Sequence, residues 1–154
     1  MKGRTVWGIV AVLAVGLAVG GGRSTIAGDK AKDQAHQAHY VECAKACTMC
    51  MRECESCAHH CAHLLSEGKK EHMRTLGTCA DCAEFCGSAA KITSRHGPMA
   101  VSICEACAKA CDTCGTDCEK FPDDEHMKRC AQACRDCAKA CREMVQHLGG
   151  SVAK

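Results

Sequence analysis

Cysteines recur at alternating steps of four and three residues along most of the chain. The first run extends from Cys43 to Cys61, and three later runs, from Cys79, Cys104 and Cys130, keep the same rule. Steps of four and three average the 3.5-residue period of a helix face that packs against other helices. The pattern therefore predicts helices with a cysteine stripe along the buried face of each.

Residues that start or stop helices separate the four runs. Helix-capping aspartates and a first-turn proline mark starts, and glycines mark ends. Short connections between four successive helices predict an all-α fold, an antiparallel four-helix bundle with a cysteine-lined core. The markers are Asp29 or Asp33, Gly68, Lys70, Arg95, Gly97, Pro98, Phe121-Pro122, Asp123 or Asp124, and Gly149-Gly150.

The first 27 residues differ from the rest. Lys2 and Arg4 precede an uncharged run over residues 6–22, and small residues follow as far as Ala27. This order is typical of a secretory signal peptide, and an uncleaved membrane anchor is the alternative. We therefore expect a signal peptide over residues 1–27, a bundle over residues 28–154, and an exported protein, periplasmic or secreted. Contact with a membrane is expected only if the first segment stays uncleaved.

The cysteine content exceeds what packing or disulfides need. Cysteine makes up 18 of 154 residues, and each buries less apolar surface than leucine, so a plain cysteine core would be weakly stabilised. Cross-helix disulfides remain open, although cysteines four residues apart on one helix are poorly oriented to bridge. Metal binding accounts for all 18 cysteines, because soft thiolates select Cu(I), Zn(II) or iron–sulfur clusters.

Charge distinguishes among these metals. One Cu(I) per thiolate leaves a neutral core, whereas Zn(II) in four-cysteine sites leaves two negative charges per site. A continuous stripe facing three others also suits thiolate-bridged Cu(I) of low coordination number. The sequence predicts roughly 18 Cu(I) ions, about one per cysteine, where zinc would saturate near four ions.

The repeated CxxxC pairs within four successive helices resemble the bacterial four-helix-bundle copper storage proteins over about residues 30–148. The resemblance implies many Cu(I) ions held on thiolates inside the bundle, and a tetramer. By the same resemblance the ligand role falls on eight CxxxC pairs, and Cys79 and Cys104 join them because they share the register. The predicted ligands are Cys43, Cys47, Cys50, Cys54, Cys57, Cys61, Cys79, Cys82, Cys86, Cys104, Cys107, Cys111, Cys114, Cys118, Cys130, Cys134, Cys137 and Cys141.

The register also distinguishes the two ends of the predicted bundle. At one end the stripe continues into apolar residues, among them Leu64 and Met127, which we interpret as an apolar closure. At the other end it reaches His36 and Met144. Histidine and methionine bind copper less strongly than thiolates, so they suit an entrance from which Cu(I) passes inward. We therefore predict the entrance at His36 and Met144.

These patterns favour a store for copper over an enzyme. The sequence contains no catalytic set that we can place, and a net charge of +2 gives no basic excess for nucleic acid. The alternatives are a disulfide-stapled structural protein of the envelope and a copper or zinc delivery protein of low stoichiometry. The expected partners are copper ions and further copies of the chain.

Overall fold

The computed structural model describes residues 24–152, and the side chains of Lys30 and of residues 34–149. Four α-helices make up nearly all of this part, joined by short loops and one 3-10 helix. The helices are α1 (Ser24–Ser66), α2 (Met73–Ser94), α3 (Ala100–Cys118) and α4 (Glu125–Val152), and the 3-10 helix is Lys70–His72. The predicted all-α fold is confirmed.

The turns after α1 and α2 share one hydrogen-bond pattern. Lys69 N donates to Leu64 O and Gly68 N to Leu65 O, with Gly68 at φ 87°. This is the Schellman arrangement, in which a residue of positive φ ends the helix. At the end of α2, His96 rather than glycine takes the left-handed conformation, at φ 52°. The unusual backbone turns the His96 ring onto Tyr40, and the ring centroids lie 4.1 Å apart.

Gly97 is required by close packing, not by its own φ. Gly97 N donates to Ile92 O at 2.9 Å, and an added Cβ would lie 3.0 Å from Ile92 Cγ2.

Asp124 caps the start of α4, as the sequence predicts. Its Oδ1 accepts hydrogen bonds from His126 N and Met127 N. Asp124 Oδ2 also bonds His60 Nε2 at 2.7 Å, which ties α1 to this cap.

Each helix packs against two neighbours around a square. α1 lies beside α2 and α4, and α3 lies beside the same two helices.

The α1–α2 and α3–α4 loops meet at one end of the bundle, which we call the two-loop end. The other end, which we call the termini end, holds the α2–α3 loop and the outer parts of α1 and α4. At 1.5 Å per residue, the 43-residue α1 is about 64 Å long and the 22-residue α2 about 33 Å. The first part of α1 therefore extends past α2 at the termini end.

Two boundary predictions are wrong. α1 begins at Ser24, before the predicted starts at Asp29 or Asp33, and α4 continues through Gly149-Gly150 to Val152. A glycine weakens a helix by about 1 kcal/mol without forcing it to end, and no atom lies within 4 Å of a Cβ added at Gly149. The hydrophobic run of the predicted signal peptide lies within residues 1–23, outside the described residues.

Candidate metal centre

A continuous network of sulfur atoms fills the core. All 18 cysteines are free thiols, and each is no more than 1% exposed. The side chains point inward because the alternating steps keep every cysteine on the buried face of its helix. Sulfurs from different helices approach to 3.5 Å for Cys79 and Cys114, and to 3.6 Å for Cys47 and Cys141. The core also joins diagonal helices, since Cys50 Sγ on α1 lies 3.9 Å from Cys111 Sγ on α3.

Groups of four cysteines form overlapping clusters along the axis. Within each group all sulfurs lie within 4.8 Å of one another. Four of the five groups named below share at least one cysteine with another group, and Cys107 of the remaining group lies 3.6 Å from Cys86, so the sulfur network is continuous. Five of these groups are Cys47, Cys107, Cys137 and Cys141; Cys50, Cys82, Cys86 and Cys111; Cys50, Cys54, Cys82 and Cys134; Cys54, Cys114, Cys130 and Cys134; and Cys57, Cys79, Cys118 and Cys130.

The proton state of the thiols follows from this crowding. Hydrogen bonds with Cys141 and Cys43, followed by burial, raise the pKa of Cys104 above its ordinary value. Hydrogen bonds from four cysteines, followed by burial, raise the pKa of Cys134 in the same direction. Thiols of this kind are protonated in the empty core at neutral pH, so each of them releases a proton when its sulfur binds a metal ion.

Imidazole rings gather at the termini end. His36 Nδ1 lies 2.7 Å from His147 Nε2, and the His39 ring stacks on His147 with centroids 4.1 Å apart. Burial, and then the charges of His39 and His36, lower the pKa of His147. Met144 lies one helical turn before His147 and is fully buried. The structure thus brings the predicted His36 to His147, and places Met144 at the inner side of the same end.

Two features of these ends are not apparent from the sequence. The contacts among His36, His39 and His147 are one, because the 111 residues that separate His36 from His147 are bridged only by the fold. The other is the burial of His72 at the two-loop end, where only 6% of this residue is exposed. His72 lies in the 3-10 helix, outside the cysteine register.

The comparison with known protein families decides the identity of the bundle. The family model described as "Copper storage protein" matches residues 36–146, which is most of the chain. This chain belongs to the copper storage protein family. The resemblance noted from the CxxxC pairs is therefore confirmed. The cysteine stripes and the four-helix bundle are features of this family.

Individual relatives agree with the family match. The uncharacterized cysteine-rich protein YhjQ of Bacillus subtilis is 37% identical over 104 residues, which cover 67% of this chain and 93% of YhjQ. The Cu(I)-bound copper storage protein BsCsp3 superposes with a TM-score of 0.64 at 34% identity, covering 70% of this chain and 98% of BsCsp3. A cytosolic copper storage protein from Streptomyces lividans, loaded with five coppers, gives a TM-score of 0.67 at 29% identity, covering 73% and 97%.

The function follows from the family and the core together. The chain is a copper storage protein, and its cargo is Cu(I) bound by cysteine thiolates inside the bundle. The disulfide-stapled alternative is wrong, because the chain belongs to the copper storage protein family and the structure forms no disulfide among its 18 cysteines. Cysteine thiolates thus take up metal instead of linking the helices covalently.

The prediction of an exported protein is wrong. The Streptomyces lividans relative is a cytosolic copper storage protein. Binding of Cu(I) by thiolates needs reduced cysteines, which a cytosol maintains and an oxidising compartment does not. Among residues 24–152, no helix combines the length and the apolar character needed to cross a bilayer.

Proposed function

We propose that all 18 cysteines ligate Cu(I), and that the bundle over residues 28–154 fills to roughly one ion per cysteine. The observation that carries this proposal is the continuous sulfur network, in which four of the five named groups share sulfurs and a 3.6 Å contact between Cys86 and Cys107 joins the fifth. Thiolate sulfur bridges Cu(I) ions, so overlapping groups accommodate more metal than separate four-thiolate sites. The balance of one positive ion per thiolate keeps the buried core neutral.

An anaerobic titration of the reduced protein with Cu(I), in competition with a chromogenic chelator, tests the stoichiometry. We expect the chelator to begin competing only after roughly 18 equivalents per chain. Saturation near four equivalents would instead indicate separate four-thiolate sites and would overturn the proposed filling. A thiol count on the same sample confirms that all cysteines were reduced at the start.

The proposed entrance lies at the termini end, at His36 and Met144. Three features support it: the half-buried His36 side chain, its contact with His147, and the position of Met144 directly beyond Cys141 in the α4 stripe. Ligands weaker than thiolates at this end bind Cu(I) and pass it to the stronger thiolates inside. We also propose a homo-oligomer, a tetramer by family resemblance, with copper entering each bundle separately.

Replacing both entrance residues tests this route. We expect the His36→Ala/Met144→Leu double variant to take up Cu(I) several-fold more slowly than the wild type, because the first ligands on the path are missing. Its capacity stays the same, because no thiol is removed. Stopped-flow mixing with a Cu(I)–chelator complex measures the uptake rate. His59→Ala is the matched control, since His59 is exposed on the opposite part of α1. Equal uptake rates in the wild type and both variants would show that the entrance does not lie at His36 and Met144.

A further inference from the structure

The solvent-facing side of α2 has an apolar centre. Phe85 is 41% exposed in the middle of the helix, and Ile92, two turns further on, is half-buried. Ser88 lies between them and is exposed. Steps of three and four residues place these three side chains on one outer face of the helix. An apolar centre within a charged surface is the composition of an interface between protein chains.

The neighbouring helix α3 extends this apolar area. Arg74 Nε on α2 donates to Asp117 Oδ2 on α3 at 3.0 Å, so the side of α3 that carries Asp117 faces α2. Ile103 and Ala110 precede Asp117 at steps of seven residues, on the same side of α3, and both are half-buried. The outer surface of the α2–α3 pair is therefore apolar on both helices.

Opposite charges flank the apolar centre of α2. Asp81 and Glu84 precede it, Lys91 and Arg95 follow it, and all four are exposed. Among the residues whose side chains the structure describes, none of these four takes part in a salt bridge within the chain. Asp81 and Arg95 lie at equal distances along the sequence from Ser88. The outer face of α2 thus carries an acidic half and a basic half, related by a centre at Ser88.

The α3–α4 side of the bundle differs in this respect. Arg135 Nη2 lies 2.7 Å from Glu119 Oε2, and Arg142 pairs with Asp112. These charges on α4 are satisfied by α3 or by the loop that follows it. The charges on the outer face of α2 have no such partners within the described side chains, so a second molecule can satisfy them.

A second copy of α2 in the antiparallel direction matches this pattern. With a two-fold axis at Ser88, Asp81 faces Arg95 of the second copy, and the same pair recurs on the other side of the axis. Glu84 with Lys91, and Phe85 with Ile92, are also centred within half a residue of Ser88. One register therefore pairs opposite charges with each other and apolar side chains with each other. The small side chain of Ser88 at the axis allows the two helices to approach closely.

We propose that two copies of the chain associate through α2, packed antiparallel about a two-fold axis at Ser88. This inference rests on the proposed homo-oligomer and assigns one of its interfaces. A two-fold contact uses the same surface on both subunits, so each charge pair forms twice. Because the two α2 helices are antiparallel, the termini ends of the two bundles point in opposite directions. The proposed copper entrances therefore stay apart, and neither is covered by this contact.

Reversal of one charge, and then of both, tests the pairing. Asp81→Arg and Arg95→Asp each place like charges opposite each other twice, and each is expected to raise the dissociation constant of the interface by about tenfold or more. The double variant Asp81→Arg/Arg95→Asp places opposite charges together again and is expected to return to within about threefold of wild type. Sedimentation equilibrium of the reduced full chain over a series of concentrations measures the constants.

Two further variants complete the test. Arg52→Asp makes the same change of charge on the exposed face of α1 and is the matched control, with assembly equal to that of the wild type. Phe85→Ser removes the apolar centre, and the assembled mass is expected to fall by half, because one two-fold contact is lost. Circular dichroism verifies that every variant is folded.

The outcomes separate the interface from the oligomer. Single reversals that assemble as the wild type does, or a double variant no better than the single ones, would overturn the α2 contact while the oligomer stands. A wild type that is monomeric at every concentration would reject the proposed homo-oligomer, and the contact with it. Recovery in the double variant alone supports the antiparallel register, because only that arrangement brings positions 81 and 95 together.

Discussion

Loading with Cu(I) is expected to raise the thermal midpoint of unfolding by at least about 20 °C. A ligand that binds only the folded state adds about 4 kcal/mol when present at a thousand times its dissociation constant. For a chain of this size, 1 kcal/mol moves the midpoint by roughly 2–4 °C. A few tightly held ions therefore suffice for a shift of this size, and a filled core contains many more.

The structure explains why the empty bundle depends on its cargo. The core is built from cysteine, whose small side chain contributes less burial energy than leucine, and it has few larger apolar residues such as Met127 and Met144. Copper bonded to sulfurs of α1, α2, α3 and α4 replaces that missing cohesion with metal–ligand bonds between helices.

Circular dichroism at 222 nm, recorded during heating of empty and loaded samples, measures the shift. Removal of the metal with excess Cu(I) chelator is the control and returns the midpoint to that of the empty protein. A loaded midpoint within about 5 °C of the empty one would contradict binding inside the core, since an ion bound on the surface joins no helices.

The sequence predicted the helices and the buried faces because a single physical requirement controls both. A residue type that repeats every 3.5 positions lies on one helix face, so the positions of Cys43, Cys79, Cys104 and Cys130 established four helices and their inward sides at once. Local caps such as Asp124 and turns such as Gly68 added boundaries, since each satisfies free backbone groups at a helix end.

The side-chain contacts at the ends of the bundle could not be predicted from the cysteine period. The contact between His36 and His147 depends on how far α1 and α4 extend beyond the α2–α3 loop, which the cysteine period does not encode. The burial of His72 depends on a 3-10 helix and on stacking against Phe121 from another loop. The N-terminal run did not decide the compartment, because a short apolar segment followed by small residues fits a signal peptide whether or not a chain is exported.

Removing two central cysteines is expected to cost more copper than removing two at one end. Cys54 Sγ lies 3.8 Å from Cys134 Sγ, and both belong to two groups of four, one with Cys50 and Cys82 and one with Cys114 and Cys130. The Cys54→Ala/Cys134→Ala double variant leaves two thiols in each group. Because bridging sulfurs are shared, the loss is not additive, and we expect capacity to fall by at least about four ions.

The matched control is Cys43→Ala/Cys104→Ala at the termini end. It removes the same number of thiols, which are equally buried and lie 3.7 Å apart. Apart from each other these two thiols have one hydrogen-bonded sulfur neighbour, Cys141, whereas the central pair contacts Cys50, Cys114 and Cys130. This variant is expected to lose no more than about two ions. The chelator titration compares both variants with the wild type, and heating of the empty proteins verifies that both fold. Equal losses would mean that each thiolate holds its own ion. A larger loss from the centre would mean that shared sulfurs make the core one copper store, because each central thiolate then supports several ions at once.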